Sequence, residues 1–490
     1  MKIISLLKNL STALFTPSPR VDTPPSDPQK VADLSIEFIF AAGNNDVSEM
    51  KRLRSKGADI DFKANITLGS GTICFGPQGV SQPEETTNAL MVALHNGSFD
   101  AALYLAQTGA EATAGRKEVF GNREQKALDF LLTARVPESA QETPSSMADI
   151  KAFIDDAYNK ESSERRHKNY QTDLYTPTQR IQLFDALVAN MQEKGLNPLD
   201  LVSEWTMDNT LTWGRSEMVP KLAEIGVEIK DAHFVSAADP YHRPHLAIAM
   251  MEAVLPYVKD VNVTDRSKQN AGHEVAGKFD LPAFKWLEQR GLAKDAIAKL
   301  NVPTYAHMVA GCFGNNNNAE EAGKRKAFAQ YLADQKYPIN VRDQEYSQRT
   351  PIETAFSEGN IDVGLIYVEA GAEVKSGYLA EAIKARHFNK VSTPQILNLI
   401  DKLEERGVLD QESLQMAFDE LAEKVEMNDK NRPLMLPVLK TMLAKGLTLE
   451  PEKQQIANKI LTGQALEAKD RELARSDAFN RRMHLPTNDL

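Results

Sequence analysis

Three stretches of this chain can be laid over one another without a gap, and this internal repetition constrains its fold more than any other feature. Residues 36–61 read IEFIFAAGNNDVSEMKRLRSKGADID, residues 88–113 read NALMVALHNGSFDAALYLAQTGAEAT, and residues 350–375 read TPIETAFSEGNIDVGLIYVEAGAEVK. An apolar residue holds the third position (Phe38, Leu90, Ile352) and alanine the sixth (Ala41, Ala93, Ala355). Asn or Gly holds the tenth (Asn45, Gly97, Gly359), and Gly-Ala follows twelve residues later at Gly57-Ala58, Gly109-Ala110 and Gly371-Ala372. Self-similarity of this kind marks a stack of supersecondary units, none of which can bury its apolar face alone.

Each landmark has a physical reading. A short first helix carries the alanine, which lets a neighbouring helix come close. The tenth residue ends that helix, where Gly or Asn tolerates the left-handed conformation. A second helix follows with apolar residues at helical spacing, such as Val363, Ile366 and Val368, or Leu103 and Leu105. The Gly before Ala ends it in the same way. Weaker copies close at Gly226, Gly291, Gly407 and Gly446, while those over 244–263 and 305–341 lack a closing glycine. Residues 450–474 read as a charged helix with Ile456, Ile460 and Leu461 on one face, suited to cap the last unit.

The pattern resembles the ankyrin repeat, a turn followed by two antiparallel helices. Thr350-Pro351-Ile352-Glu353-Thr354-Ala355 is similar to that family's T-P-L-H-x-A opening, with Glu353 where the family has His. Gly371-Ala372-Glu373-Val374 is similar to its closing G-A-D-V. The resemblance implies an all-α, ankyrin-like helical-repeat solenoid with hairpin-like loop insertions, and an elongated molecule. It also implies an interaction scaffold rather than an enzyme, with a protein as partner.

Length and charge narrow the functions. At 490 residues the chain exceeds the roughly 250–300 that one core holds. A net charge of −11 disfavours non-specific nucleic-acid binding. Two cysteines, Cys74 and Cys312, cannot make a disulfide framework or a Cys-rich zinc site, and they read as free thiols in a reducing, cytoplasmic setting. Polar inserts and tandem asparagines suggest a bacterial chain, with a secreted effector acting in a host cell as the alternative. No apolar run reaches the roughly 20 residues a membrane span needs. Residues 1–15 carry Ile3, Leu6, Leu7, Leu10 and Leu14 on one helical face, which suits a weak membrane contact or docking on the first repeat better than a cleaved signal. The expected organisation is an amphipathic segment and Pro-rich linker (1–30), ankyrin-like repeats (31–135), a degenerate helical region with polar inserts (136–200), further repeats (201–450), and a capping helix and tail (451–490).

Candidate chemistry is sparse. The glycines of 67–80 (TLGSGTICFGPQGV) lack the G-x-x-x-x-G-K-[ST] spacing and any nearby cation, so a hairpin between repeats is the better reading. Its apolar finger, Ile73 and Phe75, is a candidate partner contact, together with Tyr241 and Arg243 in the turn before Pro244. His233, His242, His245 and His273 are the only histidine concentration, but Pro244 breaks the spacing a helical metal site needs, and for His245 and His273, near the openings of units, a structural role is expected instead. A Cys312–His307 pair is weaker than a buried thiol. No catalytic, cofactor or metal residues are assigned. An enzyme with an unrecognised site would place it in 114–200, the least repeat-like stretch, which includes His167. A membrane-peripheral adaptor anchored by residues 1–15 is the other alternative.

Overall fold

A computed structural model describes residues 27–473 except 66, 70–71, 75–85, 114–115, 118–123, 134–172, 241–243, 295–302, 312–318, 344–347, 386–390, 428–430 and 468. The amphipathic segment at 1–15 lies outside the described residues. The chain is all-α, with only short two-stranded ribbons among the described residues. It divides into two compact units, Met1–His233 with Pro240–Tyr257 and Phe234–Asp239 with Val258–Leu490.

In the first unit, helices come in pairs: α1 (Pro28–Gly43) with α2 (Val47–Ser55), α3 (Ala89–Asn96) with α4 (Phe99–Gln107), α5 (Ala127–Thr133) with α6 (Pro177–Glu193), and α7 (Thr206–Thr212) with α8 (Met218–Glu224). First helices touch in the order α1, α3, α5, α7, and second helices in the order α2, α4, α6, α8. After α9 (Asp231–Ala237), α10 (Ala247–Val254) packs on α8. The second unit pairs α11 (Ala271–Gly277) with α12 (Leu281–Glu288), α13 (Tyr305–Ala310) with α14 (Ala319–Asp334), and α15 (Pro351–Glu358) with α16 (Ile361–Glu369). It continues with α17 (Tyr378–Lys384) and α18 (Thr393–Glu405), α19 (Gln411–Met427) and α20 (Arg432–Ala444), then α21 (Pro451–Thr462). Its first helices α11, α13, α15, α17, α19 and α21 touch in that order.

The helices stop where the glycine landmarks require. Gly57, Gly109, Gly226, Gly291, Gly371, Gly407 and Gly446 all have positive φ, as do Asn45, Gly97 and Gly359 at the tenth position. L-residues with a Cβ avoid this region, so the landmark is a backbone requirement rather than a packing preference. Phe279 and Lys336 adopt the same conformation at matching places without being glycine. The expected capping helix is shorter than its charge pattern suggested. It ends at Thr462 because Gly463 takes a left-handed cap. Ile456 and Ile460 are buried on it with Ala457, whereas Leu461 is half-buried.

The alanines sit where helices close on one another: Ala41 is nearly covered, and Ala93 and Ala355 are fully covered. Ala355 lies on α15, which packs between α13 and α17. Replacing it with leucine adds three carbons to a filled site, and a loss of about 1–3 kcal/mol is expected. Thermal unfolding of the variant checks this, and an unchanged melting temperature would show that the contact is loose.

The stretch that looked least repeat-like holds a regular pair. Helix α5 begins at ALDFLL as the sequence suggests, and α6 starts with a capping box in which Thr176 and Gln179 each bond the other's backbone N–H. The buried Asn190 of α6 donates to the carbonyls of Ala106 and Ala110 at 2.9 Å, which docks α6 on the end of α4. Asp129 of α5 accepts from the Thr206 hydroxyl at 2.8 Å and so ties α5 to α7.

Candidate functional site

The hairpin expected within 67–80 is present. Strand β2 (Thr67–Gly69) pairs antiparallel with β3 (Thr72–Cys74), with Leu68 opposite Ile73. Before and after it, Ala64–Asn65 pairs antiparallel with Thr86–Thr87 as a separate two-stranded sheet. Ile73 is thus on the second strand, one residue before its described end. Phe75, Tyr241 and Arg243 lie outside the described residues, as do His167, His242 and Cys312. Of the four candidate contacts, Ile73 alone is among the described residues.

Two histidines are placed firmly. His273 and His307 occupy the fourth position of their units, the place held by Glu353 in the unit that opens at Thr350. Both are buried. His273 Nδ1 accepts from the Asn270 backbone N–H at 3.0 Å, and its Nε2 lies 2.9 Å from the Pro303 carbonyl. His307 Nδ1 accepts from the Thr304 N–H at 3.0 Å, and its Nε2 lies 2.8 Å from the Arg349 carbonyl. A carbonyl can only accept and a backbone N–H can only donate, so these partners select the neutral tautomer protonated on Nε2. Each ring caps its own helix and reaches the residue just ahead of the next unit. Both nitrogens of His307 are engaged in these contacts, which leaves none for Cys312.

Glu353 does the same task with opposite polarity. Its Oε2 accepts from the Thr350 N–H at 2.8 Å, closing a capping box. Its Oε1 faces Lys375 Nζ at 3.1 Å and Arg342 Nη2 at 3.2 Å. A carboxylate cannot donate onward to a carbonyl as imidazole does, so the link to the next unit comes from the Lys375 cation. Burial raises the Glu353 pKa, but the Thr350 N–H and the two cations outweigh it, and the carboxyl sits below its ordinary value.

A second ladder crosses the turns, and the sequence reading missed it. The side chain four residues beyond Gly57, Val258, Lys336 and Gly407 accepts from the backbone N–H two residues beyond Gly109, Gly291, Gly371 and Gly446 in turn. Asp61 accepts from Glu111 N–H at 2.5 Å, Asn262 from Ala293 at 2.8 Å, Asn340 from Glu373 at 3.0 Å, and Gln411 from Thr448 at 3.2 Å. The signal was available as a polar acceptor at a fixed offset from the closing positions, including Lys336, which is not glycine.

One concavity in the first unit is an open groove of about 460 Å³ between α2 and α4, lined by Asn45, Lys51, Asp100 and Tyr104 among others. Its polar groups largely satisfy one another: Asn45 bonds Asp100 and the Ala101 N–H, and the Lys51 ammonium sits 5.5 Å from the Tyr104 ring centre. Among the described residues no group of three or more His, Cys, Asp or Glu is placed to hold a metal ion, and no helix is long and apolar enough to cross a membrane. No protein-family model and no curated protein matches the chain.

Proposed function

We propose that this chain is an ankyrin-like repeat scaffold that binds a protein partner and carries out no chemistry of its own. The observation that carries this reading is the coincidence of landmarks. Helix ends at equal offsets share one left-handed backbone conformation, and a turn-to-turn hydrogen bond recurs at a fixed offset from them. Stacks of helix pairs present extended surfaces suited to macromolecular recognition. In this reading Ile73 and Phe75, in the insertion between β1 (Ala64–Asn65) and β4 (Thr86–Thr87), supply an apolar contact to the partner, and Tyr241 and Arg243 a second.

The test uses the full chain as bait in affinity capture, beside an Ile73→Asp, Phe75→Asp variant. A defined protein enriched by the parent chain and reduced about tenfold or more by the variant is the expected result. That factor corresponds to about 1.4 kcal/mol. Equal capture by both chains would remove the hairpin from the interface. Failure of any protein to be enriched over an unrelated bait would overturn the scaffold reading.

A further inference from the structure

Helices α11, α13 and α15 of the second unit are joined by a run of side chains that differ in how they respond to protons. Asn270, His273 and Pro303 make the first joint, Thr304, His307 and Arg349 the second, and Thr350, Glu353 and Lys375 the third. We propose that the two histidine joints are a proton-triggered release, which loosens α11 and α13 on mild acidification while the Glu353 joint behind them stays closed.

The geometry carries this. In the neutral ring Nε2–H donates to the carbonyl ahead of the next unit, and the Nδ1 lone pair receives the N–H at the mouth of its own helix. A second proton on Nδ1 removes that acceptor. The new N–H can turn to Asn270 Oδ1 or to Thr304 Oγ1, each 2.9 Å away. The backbone donor of Asn270 or Thr304 is then left inside the protein without a partner, beside a full positive charge.

The surroundings do little to hold that charge. Around His273 stand the Tyr305 ring, with centroids 5.0 Å apart, the half-buried Glu274 on its own helix, Asp265 in the preceding turn, and His307 on α13. Asp265 favours protonation and His307 opposes it. Around His307 stand Asp343 and Glu353, both favouring protonation, with Glu353 already engaged by Lys375 and Arg342. Neither imidazole forms an ion pair with a described carboxylate. Burial is the largest influence on both rings and pushes both down, His273 to about 4.

The direction of the linkage follows. A histidine in the unfolded chain titrates near 6.5, so between that value and about 4 the unfolded chain binds the proton that the folded chain refuses. The contribution of His273 is complete above pH 6.5 and is lost as the pH falls through this window. Glu353, held below its ordinary value of 4.5, keeps its contribution above that value and loses it as the pH falls from there through its lowered folded value.

The same chain supplies the control. Gln179 and Gln395 close capping boxes at the equivalent position of α6 and α18, so glutamine can cap without titrating. Amide exchange of the full chain, corrected for intrinsic rates, is measured at pH 7 and pH 5 for the parent and for His273→Gln, His307→Gln. In the parent, protection of α11 and α13 should fall roughly 20-fold from the His273 linkage alone. Helices α17 and α19, which contain no histidine, give the reference. In the variant the fall should shrink to that of the reference. Equal pH dependence in parent and variant, or in α11–α13 and the reference, would overturn the proposal. If the variant does not fold at pH 7, NMR titration of the parent decides. Imidazoles that titrate near 6.5 within the folded chain overturn it, and titration well below that value with parallel loss of protection supports it.

Discussion

Replacing Asp173 with alanine is expected to destabilise the first unit by about 3–5 kcal/mol, the range for removing one partner of a buried ion pair. Arg215 is only 1% exposed, and its Nη1 lies 2.5 Å from Asp173 Oδ2. Its Nε donates to the Leu132 carbonyl at 3.2 Å, the last buried turn of α5, and its Nη2 has no hydrogen-bond partner among the described residues. Arg180 of α6, also buried, lies 3.6 Å from the same carboxylate and 2.6 Å from Glu217. Two guanidinium groups thus share two carboxylates beneath α5, α6 and the start of α8. Without Asp173, Arg215 keeps its charge, because guanidinium does not deprotonate in proteins, and among the described residues the Leu132 carbonyl is the hydrogen-bond partner left to it. Burial and the neighbouring Arg215 already push the Arg180 pKa down, a sign that the two cations repel across the gap the carboxylate fills. Asp173→Asn retains an acceptor and should cost less than the alanine. Urea unfolding at pH 7, with amide exchange resolving α5 to α8, is the measurement. A loss below about 1 kcal/mol would mean that water reaches Arg215 and replaces the carboxylate.

That cluster also shows where the sequence stops being informative. Asp173, Arg180, Arg215 and Glu217 belong to no periodic pattern, and the polar stretch that separates α5 from α6 hides their common address. Helix ends were legible for the opposite reason. Positive φ is a local demand that few residues meet, so Gly226 or Gly446 announces itself without knowledge of its neighbours. The same logic fails at Phe279, which is buried, and at Lys336, which is exposed: both hold that conformation without glycine, and the landmark disappears from the sequence. It failed differently at 450–474, where a run of good helix formers read as one helix across Gly463. His273 and His307 were recognisable as structural once placed at the fourth position of a unit, but their onward bonds to Pro303 and Arg349 depend on the stacking of the next unit. Of the four candidate contacts, Ile73 falls on a described strand, and the other three lie outside the described residues.

Truncating Phe284 to alanine should produce the other large loss, about 3–5 kcal/mol, confined to the second unit. Helix α12 has eight residues, and it buries Ala283, Phe284, Trp286 and Leu287. The Phe284 ring is fully covered and meets three others: Tyr305 of α13 at 5.1 Å, Phe328 of α14 at 5.0 Å, and Tyr337 just beyond α14 at 5.6 Å between centroids. The first two are near-perpendicular, the arrangement in which a ring edge meets a ring face. How much a cavity costs depends on whether its walls can collapse. Here two of them are fastened at their far ends. The Tyr305 hydroxyl is bonded by the Asn270 side chain at 3.0 Å, and the Tyr337 hydroxyl donates to Glu288 at 2.5 Å. Movement of either ring into the space would break a hydrogen bond that is half or fully shielded from water, so the cavity should persist and the cost should lie toward the upper end. Phe284→Leu keeps most of the volume and loses mainly the ring-edge contacts, so it should cost clearly less. Chemical unfolding of both variants, with amide exchange followed across α11 to α14, separates the cases. A loss for Phe284→Ala no larger than for Phe284→Leu would show that the tyrosines do close the gap and that their hydroxyl anchors are weak.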